Sequence, residues 1–289
     1  MKKILALLFF SNLLLSELIL EITQGTEDPY RVAIVQFGGN EKIAKKIDAV
    51  IQNDLARTGE FTIFNNDDLL TVPNEESEIV FNDFMILNID YLIIGNILED
   101  GLSITAEYEV FDIRKGLKVR SSTVFGIPNK NRQLAHYISD GIYEEITGIK
   151  GIAATKILYV TENKNFKLIM SGADGSNEQT LLDSPEPIIS PSWSPDSKKV
   201  AYVSFETGMA KVFVQDIATG ERNLVIENSS QISSPAWSPD GNFLSLTMYQ
   251  DGNAEIYILN LNNKNLTRLT NHYSIDTESV WSPKGSKIM

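Results

Sequence analysis

Trp193-Ser194-Pro195-Asp196-Ser197, Trp237-Ser238-Pro239-Asp240-Gly241 and Trp281-Ser282-Pro283-Lys284-Gly285 are three copies of one stretch, spaced 44 residues apart (193 to 237, 237 to 281). A fixed period of this size marks a repeat architecture with one supersecondary unit per copy. The flanking sequence recurs with it. A strand-like run follows each copy (Val200-Ala201-Tyr202-Val203; Phe243-Leu244-Ser245-Leu246; Ile288-Met289), and a Gly-containing turn comes next, near Gly208 and at Asp251-Gly252. An alternating run is third (Lys211 to Asp216; Glu255 to Asn260), and a short closing strand is fourth. About four short strands joined by tight turns make a β-propeller blade. Within the motif, Pro presets φ, Asp caps locally and Gly takes the positive φ. The Trp is expected on the innermost strand, packed between neighbouring blades.

Upstream of the repeats the pattern changes. Tyr30 to Phe37 reads as a buried strand ending at Gly38-Gly39. Asn40 is placed to cap a helix in which Ile43, Ile47, Val50, Ile51 and Leu55 form the apolar face, with Lys42, Lys45, Lys46 and Asp48 on the other side, ending at Gly59. Phe61 to Phe64 is a short strand, and Asn65 to Glu78 is polar and loop-like. Tyr91 to Ile97, Leu102 to Phe111 and Leu117 to Phe125 read as an antiparallel meander. A closing helix with Leu134, Ile138, Ile142 and Ile146 starts near Asn129 and stops at Gly148. The fold expectation is an α/β N-terminal domain followed by a β-propeller. Its division is 1–16 signal peptide, 17–150 α/β domain with an N-terminal strap, and 151–289 propeller blades.

Met1-Lys2-Lys3 followed by Ile4 to Phe10 and Leu13 to Leu15 is a basic start and an apolar run, the pattern of a secretory signal peptide. The run is broken by Ser11-Asn12 and stopped by Glu17, short of the roughly 20 residues of a spanning helix. Ser16 is the nearest candidate for a cleavage site, and export to a bacterial periplasm is expected. The chain has no cysteine, which excludes disulfide and thiolate chemistry. Its net charge of −13 argues against nucleic acid and anionic membrane surfaces as partners.

No catalytic constellation is visible. There is no Gly-x-Ser-x-Gly elbow and no His-Glu-x-x-His helix. Phe37-Gly38-Gly39-Asn40 lies where a phosphate could meet a helix N-terminus, but it matches no nucleotide fingerprint and reads as a plain strand-to-helix turn. The two histidines, His136 and His272, fall in different domains; His136 reads as a helix-surface or partly buried side chain. No metal or cofactor is expected.

The order of these features resembles the TolB family, periplasmic components of the Tol-Pal cell-envelope system. The resemblance is carried by Glu21-Ile22-Thr23-Gln24-Gly25, by Val32 to Phe37, by the Trp-Ser-Pro-Asp-Gly repeats and by Ile275-Asp276-Thr277-Glu278 before Trp281. It implies a six-bladed propeller and a non-enzymatic interaction protein. The extreme mature N-terminus would engage TolA, an inner-membrane partner, as an added strand; here that segment holds Leu18, Leu20, Glu21, Ile22 and Thr23. The same segment could instead be an ordinary strap on the domain. The propeller mouth would bind Pal, the outer-membrane lipoprotein, through loops that enter the innermost strands. Those loops point to Gln231, Ser234, Asp276, Thr277 and Glu278, although Asp276 and Thr277 could equally serve only to satisfy backbone groups of the turn. The loop before Trp281 is one residue longer than its predecessor when both are counted from Ile to Trp.

About three repeats precede Met289, fewer than the four or so that close a ring, so further blades are expected downstream. Two other readings fit the repeats: the propeller of an oligopeptidase whose hydrolase domain lies beyond, or a propeller that takes a small ligand or sugar in its channel.

Overall fold

The computed structural model describes residues 28–226, 231–250 and 252–289. The expected signal peptide, 1–16, and Leu18, Leu20, Glu21, Ile22 and Thr23 lie outside the described residues.

The first region is built on one mixed sheet. Its elements in chain order are β1 (Tyr30–Ile34), β2 (Gly38–Gly39), α1 (Glu41–Arg57), β3 (Phe61–Phe64), α2 (Phe81–Ile86), β4 (Tyr91–Glu99), β5 (Ile104–Asp112), β6 (Leu117–Gly126) and α3 (Asn131–Thr147). The strand order is β3-β1-β4-β5-β6, with β2 pairing β4. Strand β1 runs parallel to both neighbours, and β4, β5 and β6 form the antiparallel meander. Three successive buried residues, Val32, Ala33 and Ile34, fit a strand covered on both faces. The Asn40 side chain accepts the Ile43 amide at 3.4 Å and so opens α1. Ala44, Ile47, Ile51 and Leu55 of α1 then pack with Leu134, Ile138 and Ile142 of α3 on one face of the sheet. On the other face Phe84, Ile89 and Phe111 form a second cluster under the segment that follows β3. The sequence reading leaves residues 79–90 unassigned. They hold the single helical turn and a half of α2, too short to show a helical period.

The repeats form three antiparallel sheets. The first is β7 (Lys156–Glu162), β8 (Phe166–Gly172) and β9 (Gln179–Ser184). The second is β10 (Ile188–Trp193), β11 (Lys199–Ser204), β12 (Lys211–Asp216) and β13 (Arg222–Leu224). The third is β14 (Gln231–Trp237), β15 (Phe243–Gln250), β16 (Asn253–Asn260) and β17 (Leu266–Arg268). A fourth begins where Trp281 bridges Ile288. The expected four strands per blade hold for the second and third sheets but not for the first. A shift of 44 residues lays β8 on β12, and the residues it would lay on β10 and β14, around 144–149, belong to α3 and its glycine cap.

Adjacent blades are joined by the motif itself. The Trp237 indole N–H donates to the Ser192 carbonyl and the Trp281 indole N–H to the Ala236 carbonyl, both at 3.2 Å. The Trp193 indole N–H, in the same place one blade earlier, is buried with no acceptor among the described residues. The serine closes the turn: the Ser238 hydroxyl donates to Asp240 at 2.5 Å and accepts the Phe243 amide at 2.9 Å. Gly241 (φ 73°) stacks on the previous turn, and a Cβ there would lie 3.4 Å from Pro195 Cγ.

The two regions meet through ionic groups. Arg132 Nε on α3 donates to Asp174 Oδ2 at 2.6 Å in the turn after β8. His136 sits between two carboxylates, with Nδ1 2.6 Å from Asp54 Oδ2 and Nε2 3.5 Å from Asp174 Oδ2. At 6 % exposure it is buried, deeper than the helix-surface or partly buried place its spacing suggests, because α1 and the first blade close over that side of α3. Burial alone would raise the Asp174 carboxyl, but the Ser176 hydrogen bonds and the Arg132 guanidinium outweigh it and hold the group below the usual range. Asp140 accepts the amides of Ala153 and Ala154 at 2.6 and 3.0 Å, pinning the connection between the regions.

Candidate partner-binding surface

The 44-residue register lets the loops that enter successive inner strands be compared position by position. Ser190, Ser234 and Glu278 occupy one position and share a left-handed backbone, with φ of 52°, 50° and 56°. In β10 and β14 it coincides with a register shift against the neighbouring strand, the mark of a β-bulge. Left-handed backbone at a non-glycine residue is unfavourable and re-aims the side chain.

Two positions earlier, Ile188 and Ile232 are buried at 1 % and 0 % exposure. Asp276 takes their place in the next repeat. The equivalence is structural as well as numerical: the Ile232 amide donates to the Ala210 carbonyl and the Asp276 amide to the Ala254 carbonyl, 44 residues on. The two isoleucines that made the last loop seem longer are therefore not equivalent. Ile232 is core, whereas Ile275 is 68 % exposed, and the loop contains no insertion. Sequence alone could have shown this, had the count been taken from Trp to Trp.

The remaining candidates gather at the same end of the blades. Gln231 opens β14 opposite Tyr249 on β15. The Glu278 amide donates to Thr247 Oγ1 at 3.3 Å, and Thr247 lies opposite Ser233, next to Ser234. Thr277 is exposed. Among the described residues, the bonds that hold this turn come from main chain and from neighbouring side chains rather than from the Asp276 or Thr277 side chains. Ser279, where the earlier repeats have Pro191 and Pro235, is 4 % exposed and its hydroxyl has no partner among the described residues. Tyr273, which the sequence reading passed over, is 90 % exposed in the same loop.

The other features noted in the sequence do not assemble a reaction centre. Gly38 and Gly39 pair with β4, and a Cβ on Gly39 would stand 2.0 Å from the Ile97 carbonyl, so close backbone approach accounts for that glycine. The Phe37 amide beside them is held by Asp48 Oδ2 at 3.2 Å. Burial pushes the Asp48 carboxyl up to about 7 against the opposing effect of that bond. His272 stacks near Tyr273 in an exposed loop, far in sequence and place from His136. Among the described residues no cluster of three His, Asp or Glu side chains could hold a metal, and no helix is long and apolar enough to cross a membrane.

Two family models match. The TolB amino-terminal domain covers residues 18–119 and the TolB beta propeller domain covers residues 143–289. The chain is 42 % identical over 219 residues to the Tol-Pal system protein TolB of Alcanivorax borkumensis, covering 73 % of this chain and 50 % of that one. It is 37 % identical over 214 residues to the protein of the same name in Pseudomonas aeruginosa, covering 71 % and 50 %. The crystal structure of TolB from Acinetobacter baumannii superposes with a TM-score of 0.82 at 30 % identity, over 91 % of this chain and 65 % of that one. The chain spans about half the length of the curated relatives it matches. With both regions matched in order, an α/β domain and then propeller blades, the chain belongs to the TolB family.

Proposed function

We propose that this chain is a non-enzymatic periplasmic scaffold of the Tol-Pal system. It binds the outer-membrane lipoprotein Pal through the propeller mouth and the inner-membrane protein TolA through its N-terminal segment, Leu18 to Thr23, after removal of a signal peptide of about residues 1–16. The role that follows is outer-membrane integrity and envelope constriction during division. Its relatives carry the name of that system, and the amino-terminal match over residues 18–119 favours this reading over the propeller of a peptidase.

The observation that supports the Pal site best is the break in the repeat at Asp276. A position that buries isoleucine in two blades carries a carboxylate in the third, next to Thr277 and the left-handed Glu278. A core position surrendered to a charge is explained by something that side chain must meet. The test is binding of purified soluble Pal to the mature, full-length protein by calorimetry, with Thr277→Arg alongside. Binding by the wild type and at least a tenfold loss in the variant are expected. Equal binding by both would move the site away from the mouth, and no binding by either would end the scaffold reading.

A further inference from the structure

Glu255, the third residue of β16, is 2 % exposed, yet its carboxylate receives three hydrogen bonds from the segment leading to Asp276 and a fourth from Asn253 on its own strand. Thr270 Oγ1 donates at 2.5 Å, Arg268 Nη2 at 2.9 Å, the His272 amide at 2.9 Å and Asn253 Nδ2 at 3.2 Å. The partners brace one another. Asn253 Nδ2 also reaches the carbonyls of His272 (2.6 Å) and Ser274 (3.1 Å), Arg268 Nε donates to the Thr270 carbonyl at 2.8 Å, and the Ile256 amide donates to Thr270 Oγ1 at 2.9 Å. The loop from Arg268 to Ser274 is thus wound around one buried carboxylate, and it delivers Tyr273 and Ile275 to solvent at 90 % and 68 % exposure.

The repeat register shows that this arrangement belongs to one loop. A shift of 44 residues puts Lys211 at the place of Glu255, Met209 at that of Asn253 and Ile226 at that of Thr270. The blade framework is therefore built without the carboxylate. The Thr270 hydroxyl foremost, with the His272 amide and the Arg268 guanidinium, lowers the Glu255 carboxyl to about 2 although burial opposes it. Since the folded value lies below the unfolded one, the anchor is complete above about pH 4.5 and is lost only as pH falls towards 2. An exposed aromatic on a loop whose backbone is held in advance is the form binding hot spots take, because little ordering remains to be done on association.

We propose that Glu255 is the positioning residue of the partner-facing loop, and that Tyr273 and Ile275, held out by it, contact the partner beside Asp276, Thr277 and Glu278. This rests on the Tol-Pal reading above. The experiment pairs hydrogen exchange of the full chain with calorimetric binding of soluble Pal. For Glu255→Ala we expect amide exchange across 268–278 to rise at least tenfold while β15 and β16 stay protected, and Pal affinity to fall at least tenfold. Thr270→Val, which deletes one of the four bonds, should do both to a lesser degree and serves where the alanine variant does not fold. Tyr273→Ala and Ile275→Ala should weaken Pal binding at least fivefold with exchange unchanged. Unchanged exchange in both loop-anchor variants overturns the positioning role, whatever happens to Pal. Faster exchange with wild-type affinity overturns the link between loop order and binding. Wild-type protein that fails to bind Pal overturns the Tol-Pal reading and the contact role with it, with the exchange result separating that failure from the first.

Discussion

Asp48 shows how a single residue can set a pH dependence without taking part in any chemistry. Its carboxyl is buried against the Phe37 amide, one oxygen has no partner among the described residues, and burial raises it to about 7 from 3.8. Between those two values the unfolded chain has released the proton and the folded chain retains it, so stability falls as pH rises from about 4 to about 7. Asp48→Asn should flatten that slope and melt higher than the wild type at pH 8, which thermal unfolding at pH 5 and pH 8 would measure. Nothing in the spacing of α1 announces this. Asp48 follows Ile47 on the buried side of the helix, and a helical period records which face is apolar, not which acid has been carried under it. His136 is more buried than its helix spacing implies for the same reason: its burial depends on a turn 38 residues later in another region. The place of Asp276 is legible in principle, because a count from Trp to Trp sets it at the position of Ile188 and Ile232.

At the scale of the element, the Trp-Ser-Pro turn and its blade were readable because periodicity, turn chemistry and β-propensity agree there. The first sheet was not, since α3 takes the place in the sequence that an inner strand occupies in later repeats. The difference between copies makes two predictions. Trp237→Phe removes an indole bond to Ser192, whereas Trp193→Phe removes a group with no acceptor among the described residues. The first should therefore destabilise by about 1 kcal/mol more than the second, read from denaturant midpoints. Gly241 and Ser197 occupy the same left-handed position, at φ of 73° and 57°. Gly241→Ala should destabilise by about 1 kcal/mol or more, with its Cβ pressed towards Pro195, while Ser197→Gly should stabilise or be neutral in the same assay.

For the molecule as a whole, the α/β region and the blades are held in one arrangement by a short ionic chain from Asp54 through His136 to Asp174 and Arg132. Asp174 is the hinge of that chain: its side chain is 3 % exposed and lies against both Arg132 and His136. Asp174→Ala leaves the half-exposed Arg132 and the buried His136 without their shared acceptor, which should destabilise by about 1–2 kcal/mol. Calorimetry should then resolve two unfolding transitions where the wild type shows closer coupling, and solution scattering should report a broader distribution of shapes. A larger consequence attaches to Trp193. Its indole N–H is buried without an acceptor among the described residues, whereas those of Trp237 and Trp281 are bonded to the preceding inner strand. The chain's three tryptophans are therefore expected to emit from two electronic environments, which fluorescence of single-tryptophan variants would measure. Any strand that paired along β7 and offered Trp193 a carbonyl would shift its fluorescence to longer wavelength, so the protein carries its own optical signal for completion of its first blade.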